Sequence, residues 1–177
     1  MKIFYPMTLA LLAILTPDLQ AQTMNYGVQG LANIPLGDLK DFVDSKPGPG
    51  FGVHVAFDMG EGHMLRPRLD YSVFPEASFA TLKQSASSFS LGGDYLYFIA
   101  EKPEGLYLTG GLAAVRWSFQ SKVGALRTTS DTTKIGIAMG LGYQWNATLG
   151  TELRFLQSSV ASNFKAQVLQ VGVTLRF

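Results

Sequence analysis

The sequence predicts an all-β fold: an eight-stranded antiparallel up-and-down transmembrane β-barrel. Three observations predict it. Apolar residues alternate with small or polar ones in eight blocks, with a period near two. The connections between blocks alternate between long and short, as they do when turns lie on one side of a membrane and loops on the other. The chain opens on an export signal.

That signal is residues 1–21. Lys2 gives the positive start and Met7 to Leu15 the apolar run. Pro17 breaks any helix, and Leu19-Gln20-Ala21 places a small residue before the cut. The run is far shorter than the ~20 residues a membrane-spanning helix needs, so residues 22–177 are read as the exported barrel domain.

The expected strands are Met24–Ile34, Gly50–Met59, Met64–Phe74, Ser88–Ile99, Gly105–Phe119, Thr132–Trp145, Ala147–Ser158 and Lys165–Phe177. The last is the clearest: Leu169, Val171, Val173, Leu175 and Phe177 share one face, and Gln170, Gly172, Thr174 and Arg176 the other. The sixth sets Ile135, Ile137, Met139, Leu141, Tyr143 and Trp145 against Lys134, Gly136, Ala138, Gly140, Gly142 and Gln144. The third sets Leu65, Leu69, Tyr71 and Val73 against Arg66, Arg68, Asp70 and Ser72. The second sets Phe51, Val53, Val55, Phe57 and Met59 against Gly52, His54, Ala56 and Asp58. In the fourth, Leu96 and Phe98 interrupt the polar row that holds Ser88, Ser90, Gly92 and Asp94. The seventh sets Leu149, Leu153 and Phe155 against Gly150, Glu152 and Arg154. The fifth is ambiguous, because Trp117 falls on the parity opposite to Leu106, Leu108 and Leu112; a bulge or a strand end outside the bilayer accounts for this.

Pro35–Pro49, Pro75–Ser87 and Gln120–Asp131 are read as long loops, and Gly60–His63, Ala100–Glu104 and Asn146 as short turns. A soluble sandwich or lipocalin-like barrel also alternates, with its apolar face inward. The polar rows decide against it. They are crowded with Gly, Ala, Ser and charges of both signs, which suits a narrow filled lumen, whereas the apolar rows carry no Lys or Glu, which suits lipid. Aromatics gather at strand ends, with Tyr26, Tyr97, Tyr143, Trp145 and Phe177 at one rim and Phe51, Tyr71, Phe89 and Trp117 at the other, as in interfacial girdles.

Composition narrows the chemistry. There is no Cys, so disulfides, thiolate metal sites and a Cys nucleophile are excluded; Lys plus Arg is 14 against 13 acids, which argues against nucleic-acid binding by bulk charge. The lumen rows gather Asp58, Arg66, Arg68, Asp70, Asp94, Glu152, Arg154 and Arg176, expected to form an ion-pair network that ties strands together; Asp70 with Arg68 or Arg66, and Glu152 with Arg154, are the expected pairs. Lys134 falls on the same row. His54 shares a face with Asp58, yet one imidazole and a carboxylate do not make a metal site, so it is read as a hydrogen-bonded lumen histidine. No catalytic residue, cofactor or metal ligand is expected.

The ending QVLQVGVTLRF, with Phe177 last and Leu175, Val173 and Val171 alternating behind it, resembles the C-terminal signature of Gram-negative outer-membrane β-barrel proteins. MLRPRLDYS, FSLGGDYLYF, GLYLTGGLA and KIGIAMGLGYQW are similar to recurring strands of the eight-stranded OmpA-type or OmpX-type barrel. The resemblance covers Met24–Phe177. It implies location in the outer membrane, contact with outer-membrane lipids and lipopolysaccharide, and recognition of Val173, Leu175 and Phe177 by the barrel-assembly machinery. No peptidoglycan-binding domain follows the barrel, so wall anchoring is not implied. Some barrels of this size modify lipid A with a His-x-Ser pair, which His54-Val55-Ala56 and His63-Met64-Leu65 do not match. The expected protein is a monomeric, non-enzymatic barrel that acts through its extracellular loops on an unidentified ligand. A narrow channel is the alternative.

Overall fold

The computed structural model describes residues 24–79 and 82–177; the export signal expected at 1–21 lies outside them. Eight strands run in chain order: β1 (Met24–Leu36), β2 (Gly48–Gly60), β3 (His63–Phe79), β4 (Leu82–Phe98), β5 (Gly105–Val123), β6 (Leu126–Gln144), β7 (Leu149–Ala161) and β8 (Phe164–Arg176). Each pairs antiparallel with the next, and β8 pairs with β1, closing the barrel. Closure follows from the solvent, because hydrocarbon offers no partner to a backbone N–H or C=O and a spanning sheet tolerates no free edge there. Tyr26 and Phe177 exchange backbone hydrogen bonds of 3.1 and 2.9 Å at the periplasmic end of that seam.

Parity sorts the side chains as the pleat requires. Leu65, Leu69, Leu91, Leu112, Ile137, Leu141, Val171 and Val173 are exposed on the outer wall, while Gln29, Arg66, Arg68, Asp94, Glu152 and Thr174 are buried in the lumen. An outer wall of this composition is stable only against lipid. Leu112, 61% exposed at mid-strand, makes this measurable. Leu112→Arg is expected to cost about 2–4 kcal/mol in a bilayer, read from denaturant unfolding in lipid vesicles. A cost near zero would remove the assignment of this face to lipid.

Two of the expected long loops are strand instead. β3 and β4 continue to Phe79 and Leu82, and β5 and β6 to Val123 and Leu126. At 19 residues, β5 and β6 far exceed the ~10 needed to cross. Four strands therefore project above the barrel as one sheet. The sequence hides this because Ser, Thr and Lys outside the bilayer need no apolar row, whereas their backbones still pair with the neighbouring strand. From Leu126 to Ile135, β6 pairs with β5 alone, and its pairing with β7 begins at Gly136.

The remaining long connection, 35–49, contains a short helix, α1 (Gly37–Phe42), laid over the extracellular mouth. Gly37 makes the switch from strand to helix at φ +53°, in the left-handed region that glycine enters without a Cβ penalty. Asp38 accepts from the backbone N–H of Lys165 at 2.7 Å and ties α1 to the start of β8.

The ambiguity of β5 resolves without a bulge. Its ladders to β4 and β6 run unbroken, and Trp117 points into the lumen with no exposure. The expected place of Trp117 in the outer girdle is corrected. It packs beside Phe74 and Phe119 inside the mouth, and its indole N–H donates to Ser158 Oγ at 2.8 Å. Phe51, Tyr71 and Phe89 remain on the outer wall.

Candidate functional site

The lumen consists of three layers. The extracellular layer is apolar: Leu39 and Val43 of the α1 segment meet Phe74, Val115, Trp117 and Leu156, with Phe42, Phe119 and Phe164 packed edge to face around them. The periplasmic layer is also apolar, built from Ala56, Met64, Leu96, Phe98 and Tyr107. Leu96 and Phe98, which interrupt the polar row in the sequence, are thus the lower seal.

Between the seals lies an ionic layer in which three carboxylates meet three guanidiniums. Asp94 is its centre, accepting from Arg66 at 3.0 Å, Arg68 at 3.1 Å and Arg154 at 3.0 Å. Glu152 accepts from Arg66 at 2.6 Å, from Arg68 at 3.1 Å and from the Tyr107 hydroxyl at 2.9 Å. Asp70 takes three bonds from Arg68, Nε reaching its two oxygens at 3.1 and 2.9 Å and Nη2 reaching one of them at 2.8 Å. Arg68 also donates to Gln29 and Arg154 to Gln170, from which the chain of bonds runs through Asn33 to the carbonyl of Gly48. Such a layer is held because each buried charge finds an opposite one within hydrogen-bond reach. Glycines on adjacent strands leave the room: a Cβ on Gly52 would strike Asp70, one on Gly111 would strike Asp94, and one on Gly142 would strike the Tyr107 ring.

Six of the eight expected network residues are brought together here. Asp58 is not. It lies at the periplasmic end of β2 and accepts from the Gly60 backbone N–H at 2.9 Å, because the strand leaves the lumen before reaching it. Arg176 is buried but makes no ion pair among the described residues; its guanidinium lies 5.9 Å from the centre of the Phe98 ring, over the lower seal. The expected Glu152–Arg154 pair is also corrected. Arg154 reaches Asp94 and Asp70, and Glu152 is taken by Arg66 and Arg68, whose guanidiniums meet it from β3 across the lumen. His54 is buried, and its Nε2 has no hydrogen-bond partner among the described residues. Lys134 stands exposed above the lumen, on the part of β6 that pairs with β5 alone. The residues that sequence reasoning missed are Tyr107, Gln29 and Gln170. Tyr107 sits at lumen parity between Leu106 and Leu108, which was the available signal.

The projecting sheet carries the second concentration of charge. Lys83, Lys122 and Arg127 stand directly opposite one another across β4, β5 and β6. Glu76 bridges the first two, at 3.1 Å to Lys83 and 3.2 Å to Lys122, and these bonds hold its carboxyl below the usual range. One carboxylate against three cations leaves the tip basic. The whole extracellular end follows suit: Lys40, Lys46, Lys83, Arg116, Lys122, Arg127, Lys134 and Lys165 stand against Asp38, Asp41, Asp44, Glu76 and Asp131. The periplasmic end is the reverse, with Asp58, Glu61, Glu101 and Glu104 against Lys102. The near-neutral total of +1 conceals this polarity.

Comparison with known structures places the fold. The chain is 12% identical to Ail, the attachment invasion locus protein of Yersinia pestis, with a TM-score of 0.65 over 87% of this chain and 97% of that one. Neisserial surface protein A is 12% identical, with a TM-score of 0.63 over 89% of this chain and all of that one. The N-terminal barrel of Pseudomonas aeruginosa OprF gives 0.58 at 12% identity, over 88% and 99%. No curated protein sequence matches. The model of the outer membrane protein beta-barrel domain matches residues 7–177. With a closed eight-stranded ring and a lipid-facing outer wall already established, the chain belongs to the outer membrane protein beta-barrel domain family and resides in the outer membrane of a Gram-negative-type bacterium.

Proposed function

We propose that this protein is a non-enzymatic, monomeric barrel with an adhesive or surface-binding role, in which the barrel is the anchor and the extracellular sheet makes the contact. The observation that carries this reading is the sealed lumen: a charge-matched ionic layer closed above and below by apolar side chains. A solute would have to displace both seals, so the alternative of a narrow channel is not favoured. The surface chemistry follows from the tip. Lys83, Lys122 and Arg127 offer adjacent cations to a polyanion. Ail, which shares the fold, has been crystallised with the heparin analogue sucrose octasulfate, at 13% identity to this chain and a TM-score of 0.60. We therefore assign a sulfated polysaccharide as the class of surface bound. The C-terminal residues Val173, Leu175 and Phe177 are assigned to recognition by the barrel-assembly machinery during insertion.

The test is retention of barrel-bearing vesicles on immobilised heparin. Retention is expected to fall with salt and to be lost in Lys83→Gln/Lys122→Gln/Arg127→Gln, while planar bilayers holding the protein stay silent. Wild-type retention in the triple variant would sink the assigned surface. Reproducible unit conductance would replace the anchor reading with the channel.

A further inference from the structure

The buried charges of the lumen do not balance. Among the described residues, the guanidiniums of Arg66, Arg68, Arg154 and Arg176 are buried against the carboxylates of Asp70, Asp94 and Glu152, one cation more than anions. The carboxylates take up Arg66, Arg68 and Arg154. Arg176 is the surplus. It is 4% exposed, and its Nε and Nη2 have no hydrogen-bond partner among the described residues. The Phe98 ring lies against one face of the guanidinium, which favours the charge but accepts none of the in-plane N–H groups. Glu152, the carboxylate whose charge bears on Arg176, already accepts from Arg66, Arg68 and Tyr107. A buried cation in this position is costly unless a counter-charge reaches it.

The same barrel shows how such a cation is met elsewhere. On β3, Arg68 closes onto Asp70, two residues along the same face. On β8 the residue two places from Arg176 on its face is Thr174. Its hydroxyl is buried and unpartnered among the described residues, and it carries no charge. On the other side, Gly27 of β1 stands opposite both Arg176 of β8 and His54 of β2. Having no side chain, Gly27 lets the imidazole lie across it, and a Cβ there would strike His54 Nε2. That nitrogen, unpartnered, therefore comes to the strand beside Arg176. Arg66, Arg68 and Arg176 all bear on this imidazole, against Glu152 alone. The fully buried Arg66 adds two more unpartnered donors, Nε and Nη1.

The chemistry selects the occupant. Buried donors without acceptors, in a surplus of positive charge, are matched by an anion. A surplus of one cation is neutralised by a single negative charge, so the anion is monovalent. It is also small, because it sits between the lower seal and the ionic layer, in an eight-stranded lumen that side chains nearly fill. A neutral imidazole donates to it through Nε2–H in one of its two tautomers, and the threonine hydroxyl turns to donate as well. We propose that the lumen binds one small monovalent anion of the chloride class, held by Arg176 with His54, Thr174 and Arg66 around it, as the missing counter-charge of the ionic layer. It enters as the barrel closes and stays as part of the folded protein.

The experiment is urea unfolding of the full barrel in lipid vesicles, with sodium gluconate replaced stepwise by sodium chloride at constant ionic strength. Gluconate, too large for the lumen, supplies the same screening. An anion bound only by the folded state raises the folding constant about tenfold for each tenfold rise in chloride above its dissociation constant. Arg176→Gln is expected to lose this dependence, and any general effect of the two salts remains in it as the control. Thr174→Asp supplies on β8 the carboxylate that Asp70 supplies on β3. It is expected to unfold at higher urea than the wild type in gluconate and to be indifferent to chloride. Equal midpoints of the wild type in the two salts would mean that water alone satisfies these donors, which overturns the proposal. A chloride effect of wild-type size in Arg176→Gln or in Thr174→Asp overturns it too. Heat-dependent gel mobility reports the folding of each variant, and if Arg176→Gln does not fold, Thr174→Asp decides. Heparin retention should be unchanged in both, so failure here is distinct from failure of the tip as a glycan-binding surface.

Discussion

Asp94→Ala is expected to destabilise the barrel by about 3–5 kcal/mol, the range for removing one member of a buried charge network. Asp94 is the acceptor common to Arg66, Arg68 and Arg154. Its loss leaves three guanidiniums facing Asp70 and Glu152 alone, in a space bounded by α1 and the two apolar layers. The cost arises from the uncompensated cation rather than from the value of the lost bonds, because the pairs themselves roughly balance their own desolvation. Asp94→Asn, which keeps an acceptor but loses the charge, should fall between the two. Urea unfolding in lipid vesicles, followed by tryptophan fluorescence, measures both. A loss below about 1 kcal/mol, the usual worth of an exposed pair, would mean that the layer is hydrated and carries little of the barrel's stability.

Trp117→Ala is expected to cost a comparable amount, about 3–5 kcal/mol, by opening a cavity in the upper seal. The indole is fully buried, packs with ring centroids 6.2 Å from Phe74 and 5.8 Å from Phe119, and satisfies its N–H on Ser158. Trp117→Phe keeps much of the packing and loses that hydrogen bond, so a smaller loss is expected. Thermal unfolding of the two variants gives the comparison. If Trp117→Ala unfolds with the wild type, the extracellular layer is not a packed seal, and the argument from a closed lumen loses its upper half.

Both substitutions concern residues whose face the sequence predicts unequally. Asp94 sits at polar parity with Ser88, Ser90 and Gly92, before Leu96 and Phe98 interrupt the row, so its inward direction was legible. Trp117 sits at lumen parity too, but an indole beside Arg116 near a strand end reads equally well as an interfacial girdle residue. Period two says which face a side chain takes; it does not say whether the lumen at that height is ionic or apolar. The same limit explains Asp58, which shares parity with His54 but lies past the end of the lumen, and Leu96 and Phe98, which are exceptions in the polar row until the lower seal gives them a place.

The sequence by itself determined the barrel, its eight strands, the lipid-facing rows and the inward direction of most of the charges. The reason is solvent: hydrocarbon on one side and a narrow interior on the other impose alternation on every spanning residue, and alternation is a local property. Only the tertiary structure decided which charges meet. Glu152 pairs with Arg66 and Arg68, which are 86 and 84 residues away, rather than with Arg154 on its own strand, because the relative stagger of strands across the lumen sets partners and no local period encodes it. The tertiary structure also converted two expected loops into a projecting sheet. Outside the bilayer the apolar constraint ends, and strand pairing persists through backbone hydrogen bonds that leave little mark on side-chain pattern. That sheet brings Lys83, Lys122 and Arg127 into one row.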